Sequence, residues 1–189
     1  MRLFTGISLD PSTAARLEQA LEPLRRAAPL HWSPPENLHI TSKFIGQWPD
    51  ERLPELVSAL AAIEPAGKLE IGIARFGFFP NPHHPRFFFA GVHAGTGLSS
   101  LAARIEHALE PLGCPREARP YTPHLTLARI RDADIPENLR TLREAVASMT
   151  NFNFGSFMAE NFHLYLSTAC PPQHGPAGSI YKILANFPL

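Results

Sequence analysis

Trp32-Ser33-Pro34-Pro35-Glu36-Asn37-Leu38-His39-Ile40-Thr41-Ser42-Lys43-Phe44-Ile45-Gly46 is a loop running into a strand. Pro34-Pro35 stiffens the approach, and from Asn37 onward apolar and polar residues alternate, the two-residue period of a half-buried β-strand. Strict alternation puts Leu38, Ile40 and Phe44 on one face and His39, Thr41 and Lys43 on the other. The first row suits packing beneath helices. The second sets a histidine, a hydroxyl and an ammonium along one polar edge.

The same construction returns 85 residues later as Arg119-Pro120-Tyr121-Thr122-Pro123-His124-Leu125-Thr126-Leu127-Ala128-Arg129. Chance supplies about 0.4 His-x-Thr tripeptides in a chain with this many His and Thr, so two alone are only suggestive. Their surroundings add weight. At the same offset Phe4 meets Phe89, Leu24 meets Leu109, Pro35 meets Pro120 and Ile45 meets Ile130. The elements repeat as well. A strand at 2–8 precedes a helix over about 11–27, opened by Asp10-Pro11 and striped by Leu17, Leu21 and Leu24. After the first motif strand come a helix from Asp50, with Leu53, Leu56, Val57, Leu60 and Ile63, and a strand at 68–79. The second round has a strand at 86–93, read as buried on both faces or nearly so, a helix at 97–112, the second motif strand at 122–130 and a helix carrying Leu139, Leu142 and Val146. Strands near 152–158, 161–167 and 179–187 finish the chain.

These readings predict an α+β fold: one bilobal domain over 1–189, built from a duplicated strand–helix–strand–helix–strand unit. The pseudo-repeats run about 1–85 and 86–178, with a closing strand at 179–187. Two mainly antiparallel sheets face a central cleft, and Pro/Gly-rich loops at 80–86, 113–121 and 168–178 rim it.

Composition narrows the partners. Lys plus Arg and Asp plus Glu both number 17, so the formal charge is zero. Binding long duplex nucleic acid needs many phosphate contacts, which a neutral chain supplies poorly; a local pocket for one anion is compatible with it. Cys114 and Cys170 lack metal-ligand spacing and read as free thiols of a reducing compartment. His83-His84 has no neighbouring Cys or carboxylate and reads as loop surface. No signal-like or membrane-length apolar run occurs, so the expectation is a cytoplasmic, membrane-free protein.

Two histidines on two facing strands fit phosphodiester chemistry. One can take the proton of attacking water while the other protonates the leaving oxygen, because imidazole titrates near neutrality. Thr41 and Thr126 can donate to the non-bridging oxygens. Alternation alone places Arg129 on the face opposite His124, as a surface arginine, unless the strand bulges at its end. Lys43 has the right parity for the site. Tyr121, or a phenylalanine among Phe76–Phe79, has the ring to stack on a base.

The two quoted stretches resemble the motifs of the 2H phosphoesterase superfamily, and within it the bacterial and archaeal RNA 2′,3′-cyclic phosphodiesterases, historically called 2′-5′ RNA ligases. Arg2-Leu3-Phe4 and the closing Tyr181–Leu189 segment also fit, so the resemblance spans the chain. It implies metal- and cofactor-independent opening of a terminal 2′,3′-cyclic phosphate to a 2′-phosphate, with His39 as proton donor and His124 as proton acceptor. The residues themselves do not orient the pair. The resemblance also brings Arg129 into the site, with Thr41, Thr126, Lys43 and Tyr121 as further substrate contacts. Its partners would be small or single-stranded RNA 3′ ends, tRNA fragments among them, met by a monomer. Ser42 stands where the family usually has leucine, and Tyr121 where phenylalanine is common. Two other readings stay open: ligation of RNA ends through a 2′-5′ linkage at the same site, and a nucleotide-binding module without turnover.

Overall fold

The computed structural model describes residues 1–131, 137–169 and 178–189. Its elements are β1 (Arg2–Ser8), α1 (Pro11–Ala27), β2 (His31–Trp32), β3 (His39–Gln47), α2 (Leu53–Ala61), β4 (Leu69–Phe79), β5 (Phe87–His93), α3 (Gly97–Leu109), β6 (His124–Arg129), α4 (Glu137–Ala147), β7 (Asn153–Ala159), β8 (Asn161–Ala169) and β9 (Ser179–Pro188). Most of the expected rim at 168–178, including Cys170, lies outside the described residues. Among those described, no helix is long and apolar enough to cross a membrane.

Local signals work as read for α1. The Asp10 carboxylate accepts from the Ser12 amide at 3.0 Å and from Thr13 at 3.3 Å, Pro11 occupies the first turn, and Leu17, Leu21 and Leu24 are buried. Asp50 does not cap α2. It bonds the N-terminal amine at 2.8 Å, and α2 is entered through a 3₁₀ turn at Asp50–Arg52.

The class is mixed α and β with antiparallel pairing, but the two expected sheets are one. Strands run β7-β4-β5-β6-β3-β1-β8-β9, with β2 added on β6. The join is the pairing of Ile40 in β3 with Leu125 in β6. It covers the otherwise open edges of both motif strands. The repeats also exchange strands. β4, from the first, pairs with β5 of the second, and β8 pairs with β1. Helices cover one face, where a single apolar cluster runs from Leu3 and Ile7 through Ile40 and Leu125 to Phe162. The other face is left for the histidines.

Alternation fails once in β6 and twice in β3, where the register also slips at Ile45. In β3, Thr41 faces Gly6 while Lys43 faces Thr5, so Ser42 is an extra, bulged residue. In β6, Thr126 faces Phe89 while Ala128 faces Phe88, so Leu127 is extra. A bulge sets two residues against one and reverses the parity beyond it. The Ser42 and Leu127 bulges each fall immediately after the motif threonine, again 85 residues apart. Beyond them Lys43 turns to the helix side, while Phe44 and Arg129 turn to the histidine side. Phe44, expected beneath the helices, is 61% exposed. The 86–93 strand also differs from expectation: Phe88 is fully buried, but Phe87 and Phe89 are half-buried on the histidine face.

Candidate active site

Pairing Ile40 with Leu125 in antiparallel register sets His39 across from Thr126 and Thr41 across from His124. Directly opposed residues on such a face have Cβ atoms about 4.5–5.5 Å apart, and the diagonal positions are about 7–8 Å apart. The two histidines occupy a diagonal, a separation that one phosphate group can bridge.

Each imidazole is held the same way. His39 Nδ1 is 2.6 Å from the Asn37 carbonyl, and His124 Nδ1 is 2.9 Å from the Thr122 carbonyl. A carbonyl only accepts, so each Nδ1 carries hydrogen and each neutral ring presents the lone pair of Nε2. At His39 that lone pair accepts from the Thr41 hydroxyl at 3.1 Å. Asn37 is itself tied down, its amide donating to the Ser179 carbonyl at 2.5 Å.

The bulges are cross-braced. The Tyr121 hydroxyl donates to the Thr41 carbonyl at 2.9 Å, and the Ser33 hydroxyl donates to the Thr126 carbonyl at 3.1 Å. Each brace comes from the segment leading into the other motif strand. Room for the first imidazole comes from Gly6, where a Cβ would lie 2.7 Å from the Ile40 carbonyl oxygen and 3.4 Å from His39 Cδ2.

Surroundings break the symmetry. His39 sits among Phe4, Tyr165 and Tyr181, with ring centroids 4.7, 5.6 and 5.1 Å away. Burial pushes its pKa below the ordinary histidine value, reinforced by the His124 charge and opposed by the Asn37 carbonyl. His124 is exposed, with Phe89 edge-on at 5.9 Å.

The structure thus brings His39, Thr41, His124, Thr126 and Arg129 onto one face. Arg129 lies over the Phe87 ring at 5.5 Å, its parity reset by the bulge that alternation could not show. Lys43 is a correction. Its side chain is buried on the other face, bonding Glu106 at 2.9 Å and the Pro115 carbonyl at 2.7 Å. Tyr121 is a second. Its ring packs on the core and its hydroxyl is spent on Thr41, so it braces β3 instead of standing free to stack. Burial pushes its phenol pKa up. Sequence reasoning missed Phe44, Gly6, Tyr165 and Tyr181. Gly6 had a signal, because Gly91 lies at the same offset of 85 and is equally crowded, a Cβ there meeting the Ala74 oxygen at 2.7 Å.

Two openings flank the pair. Beside His39 lies a cavity of about 240 Å³, lined by Ser8, Glu36, Asn37, Tyr165, Tyr181 and Ile183 among others. Two strands beyond His124, over β4 and β7, is a wider one of about 570 Å³, with Arg75, His93, Asn153 and Ser156 on a floor that includes Gly72 and Ala74. Among the described residues no three His, Cys, Asp or Glu side chains converge as metal ligands.

A family model described as LigT like Phosphoesterase matches residues 7–89 and again 92–174, the second match displaced by 85 residues from the first. The chain belongs to the LigT-like phosphoesterases. Relatives of this LigT-like chain include the RNA 2′,3′-cyclic phosphodiesterase of Methanocaldococcus jannaschii, 30% identical over 187 residues, covering 99% of this chain and 100% of the relative. The enzyme of the same description from Thermus thermophilus is 32% identical over 201 residues, covering 100% and 90%. A crystal structure from Thermus thermophilus superposes with a TM-score of 0.81 at 29% identity, covering 100% of this chain and 98% of that one. Escherichia coli LigT, solved with 3′-AMP, shares the fold with a TM-score of 0.73 at 22% identity, covering 100% and 97%.

Proposed function

We propose that this LigT-like phosphoesterase hydrolyses the 2′,3′-cyclic phosphate at RNA 3′ ends to a 2′-phosphate, with His39 and His124 as acid and base. The observation that carries this is the pair of anchored imidazoles, each with Nδ1–H fixed and Nε2 available, diagonal to one another and each facing a threonine. Water attacks phosphorus on the His124 side and gives its proton to that Nε2. The P–O3′ bond breaks on the opposite side, and O3′ takes a proton from His39. Thr41, Thr126 and Arg129 bind the non-bridging oxygens and the charge that develops there. The exposed phenyl face of Phe44 is available to a base.

Surroundings support the assignment. His124 is exposed and meets solvent water. His39 is buried, and burial lowers its pKa in the free protein, so it is the anionic phosphate that supplies the countercharge for the proton His39 gives to O3′. The substrates are RNA 3′ ends, tRNA fragments included, the reaction needs no metal, and the chain works as a monomer.

The test is a cyclic-phosphate oligoribonucleotide incubated with the protein in EDTA, with the product isomer identified. A 2′-phosphate is expected; a 3′-phosphate, or activity abolished by the chelator, contradicts the reading. His39→Ala and His124→Ala should each lower turnover by about 10²–10⁴-fold.

The wider opening beyond His124 favours a second reaction at the same site. The nucleophile's side has room for more than water, and Arg75 and His93 there suit a second RNA end, whose 5′-hydroxyl would attack to give a 2′-5′ linkage. Adding a 5′-hydroxyl oligonucleotide should then yield a joined product; its absence at millimolar acceptor limits the enzyme to hydrolysis.

A further inference from the structure

The smaller opening has a chemical character of its own. Its described lining includes Ser8, Glu36, Asn37, Tyr165, Tyr181 and Ile183 and holds no lysine or arginine. Apart from His39 at its inner end, a phosphate would meet no cationic side chain among the described lining residues. The pocket instead has apolar and aromatic surface on one side and a carboxylate on the other. Ile183 is 43% exposed, opposite Tyr165 in the β8–β9 register. Tyr181 stands edge-on to His39, and its hydroxyl makes no hydrogen bond among the described residues. The Tyr165 hydroxyl, by contrast, is paired with Ser8 at 2.7 Å.

Glu36 sits at the centre of a 3₁₀ turn, Pro35–Asn37, directly before β3. Its side chain is exposed and has neither a hydrogen bond nor an ion pair among the described residues. The turn is held against β9 by the Asn37–Ser179 bond, which keeps Glu36 in the lining of the pocket it shares with Tyr181 and Ile183. A carboxylate accepts hydrogen bonds and donates none, so it favours a base edge carrying an amino group and disfavours one carrying a carbonyl.

We propose that this pocket receives the base of the nucleotide bearing the cyclic phosphate, and that Glu36 selects bases with an exocyclic amino group on the edge it faces. The inference rests on the functional reading above, because protonation of O3′ by His39 puts the ribose edge bearing O3′ on the His39 side, next to this pocket. Tyr181 and Ile183 supply the surface against which the base lies, and Glu36 reads its edge. Single-stranded RNA is commonly read in this way, by stacking together with hydrogen bonds to an exposed base edge.

Cyclic CMP and cyclic UMP differ in the 4-amino and 4-oxo groups, and kcat/KM measured on both is the direct probe. The wild type should prefer the cytidine substrate by about five- to tenfold, the scale of one partly exposed charge-assisted hydrogen bond. Glu36→Ala should bring that ratio to about one. Tyr181→Ala, which removes the surface under the base, should slow both nucleotides while leaving the ratio intact. A small cyclic phosphodiester without a base, ethylene phosphate, should be turned over equally by the wild type and Glu36→Ala. Equal rates on the two nucleotides in the wild type, or a ratio unchanged in Glu36→Ala, overturn the proposal. An enzyme that opens neither nucleotide nor ethylene phosphate contradicts the functional reading itself. Because the readout is a ratio within one protein preparation, a partly unfolded variant does not mimic either outcome.

Discussion

Ile40 of β3 pairs with Leu125 of β6, and the two residues are 85 apart in the chain, the offset that relates the motifs themselves. A pseudo-two-fold axis therefore passes through this pair. Each side of it carries one histidine, one threonine and a bulge directly after that threonine. That relationship makes two local tripeptides into a single site, because it is what sets each histidine across from the other repeat's threonine. It also explains why roles cannot be assigned from the motifs: the axis makes them equivalent, and only the unequal surroundings separate them.

Space under His39 is the first testable point. Gly6→Ala puts a methyl 2.7 Å from the Ile40 carbonyl oxygen, backbone that has no flexible end to yield. Strand β3 must move, carrying His39 with it. Overpacking of this kind costs about 1–3 kcal/mol. A misplacement approaching 1 Å lowers the rate by about 10²-fold. Urea denaturation and kcat measured together check it; unchanged kcat in a folded variant shows that the glycine is not needed for the imidazole's position.

Acid should weaken the fold through His39. Its folded pKa lies below the ordinary value of 6.5, so above that pH it is neutral in both states. As pH falls below 6.5, the unfolded chain gains a proton that the folded site resists, and stability drops by at most about 1.4 kcal/mol per pH unit. His39→Gln should lose less stability than the wild type between pH 7 and 5.5, read from urea midpoints. Since His163 is shifted in the same direction by burial, the difference between the two proteins is the informative quantity.

The Lys43–Glu106 pair predicts a different acid limb. Burial raises the Glu106 pKa, but the Glu117 amide and the Lys43 ammonium more than offset this, and the net value falls below 4.5. The stability it contributes is present above that pH and is lost as pH drops through the depressed value. Glu106→Gln leaves the Lys43 charge buried with the Pro115 carbonyl and, at 4.0 Å, the Glu117 carboxylate. Breaking a buried pair typically costs about 3–5 kcal/mol; the partial exposure of Glu106 and these remaining partners put the loss at the lower end. Denaturation at pH 7 and pH 4 should show the variant's deficit shrinking in acid.

Tyr121→Phe removes the brace on the Thr41 carbonyl while keeping the packed ring. The expected loss is about 1 kcal/mol of stability, one hydrogen bond's net worth. Because Thr41 then sits less firmly, kcat should fall by a small factor while the pH profile keeps its shape. A change in substrate affinity confined to KM would instead point to direct contact with the ligand.

Much of the fold was readable from local patterns. The Asp10-Pro11 start and the leucine stripe of α1 are determined by residues within a few turns of one another. So are the alternation around both motifs, the 85-residue repeat and the placement of two histidines and two threonines on polar strand faces. Lys43, Phe44 and Arg129 were misplaced by alternation for one reason: Ser42 and Leu127 are bulged. A bulge is defined by which residues the neighbouring strand presents, here Thr5 and Gly6 in one case and Phe88 and Phe89 in the other.

By itself, then, the sequence determined the element order, the duplication and the chemical equipment of the site, all of which are encoded over short spans. The tertiary structure decided the rest. It merged two sheets at Ile40 and Leu125, exchanged β4 and β8 between repeats, and turned Arg129 toward the histidines and Lys43 away. It also buried one imidazole while exposing the other. Those outcomes depend on register between strands distant in the chain, where a shift of one residue reverses every side chain.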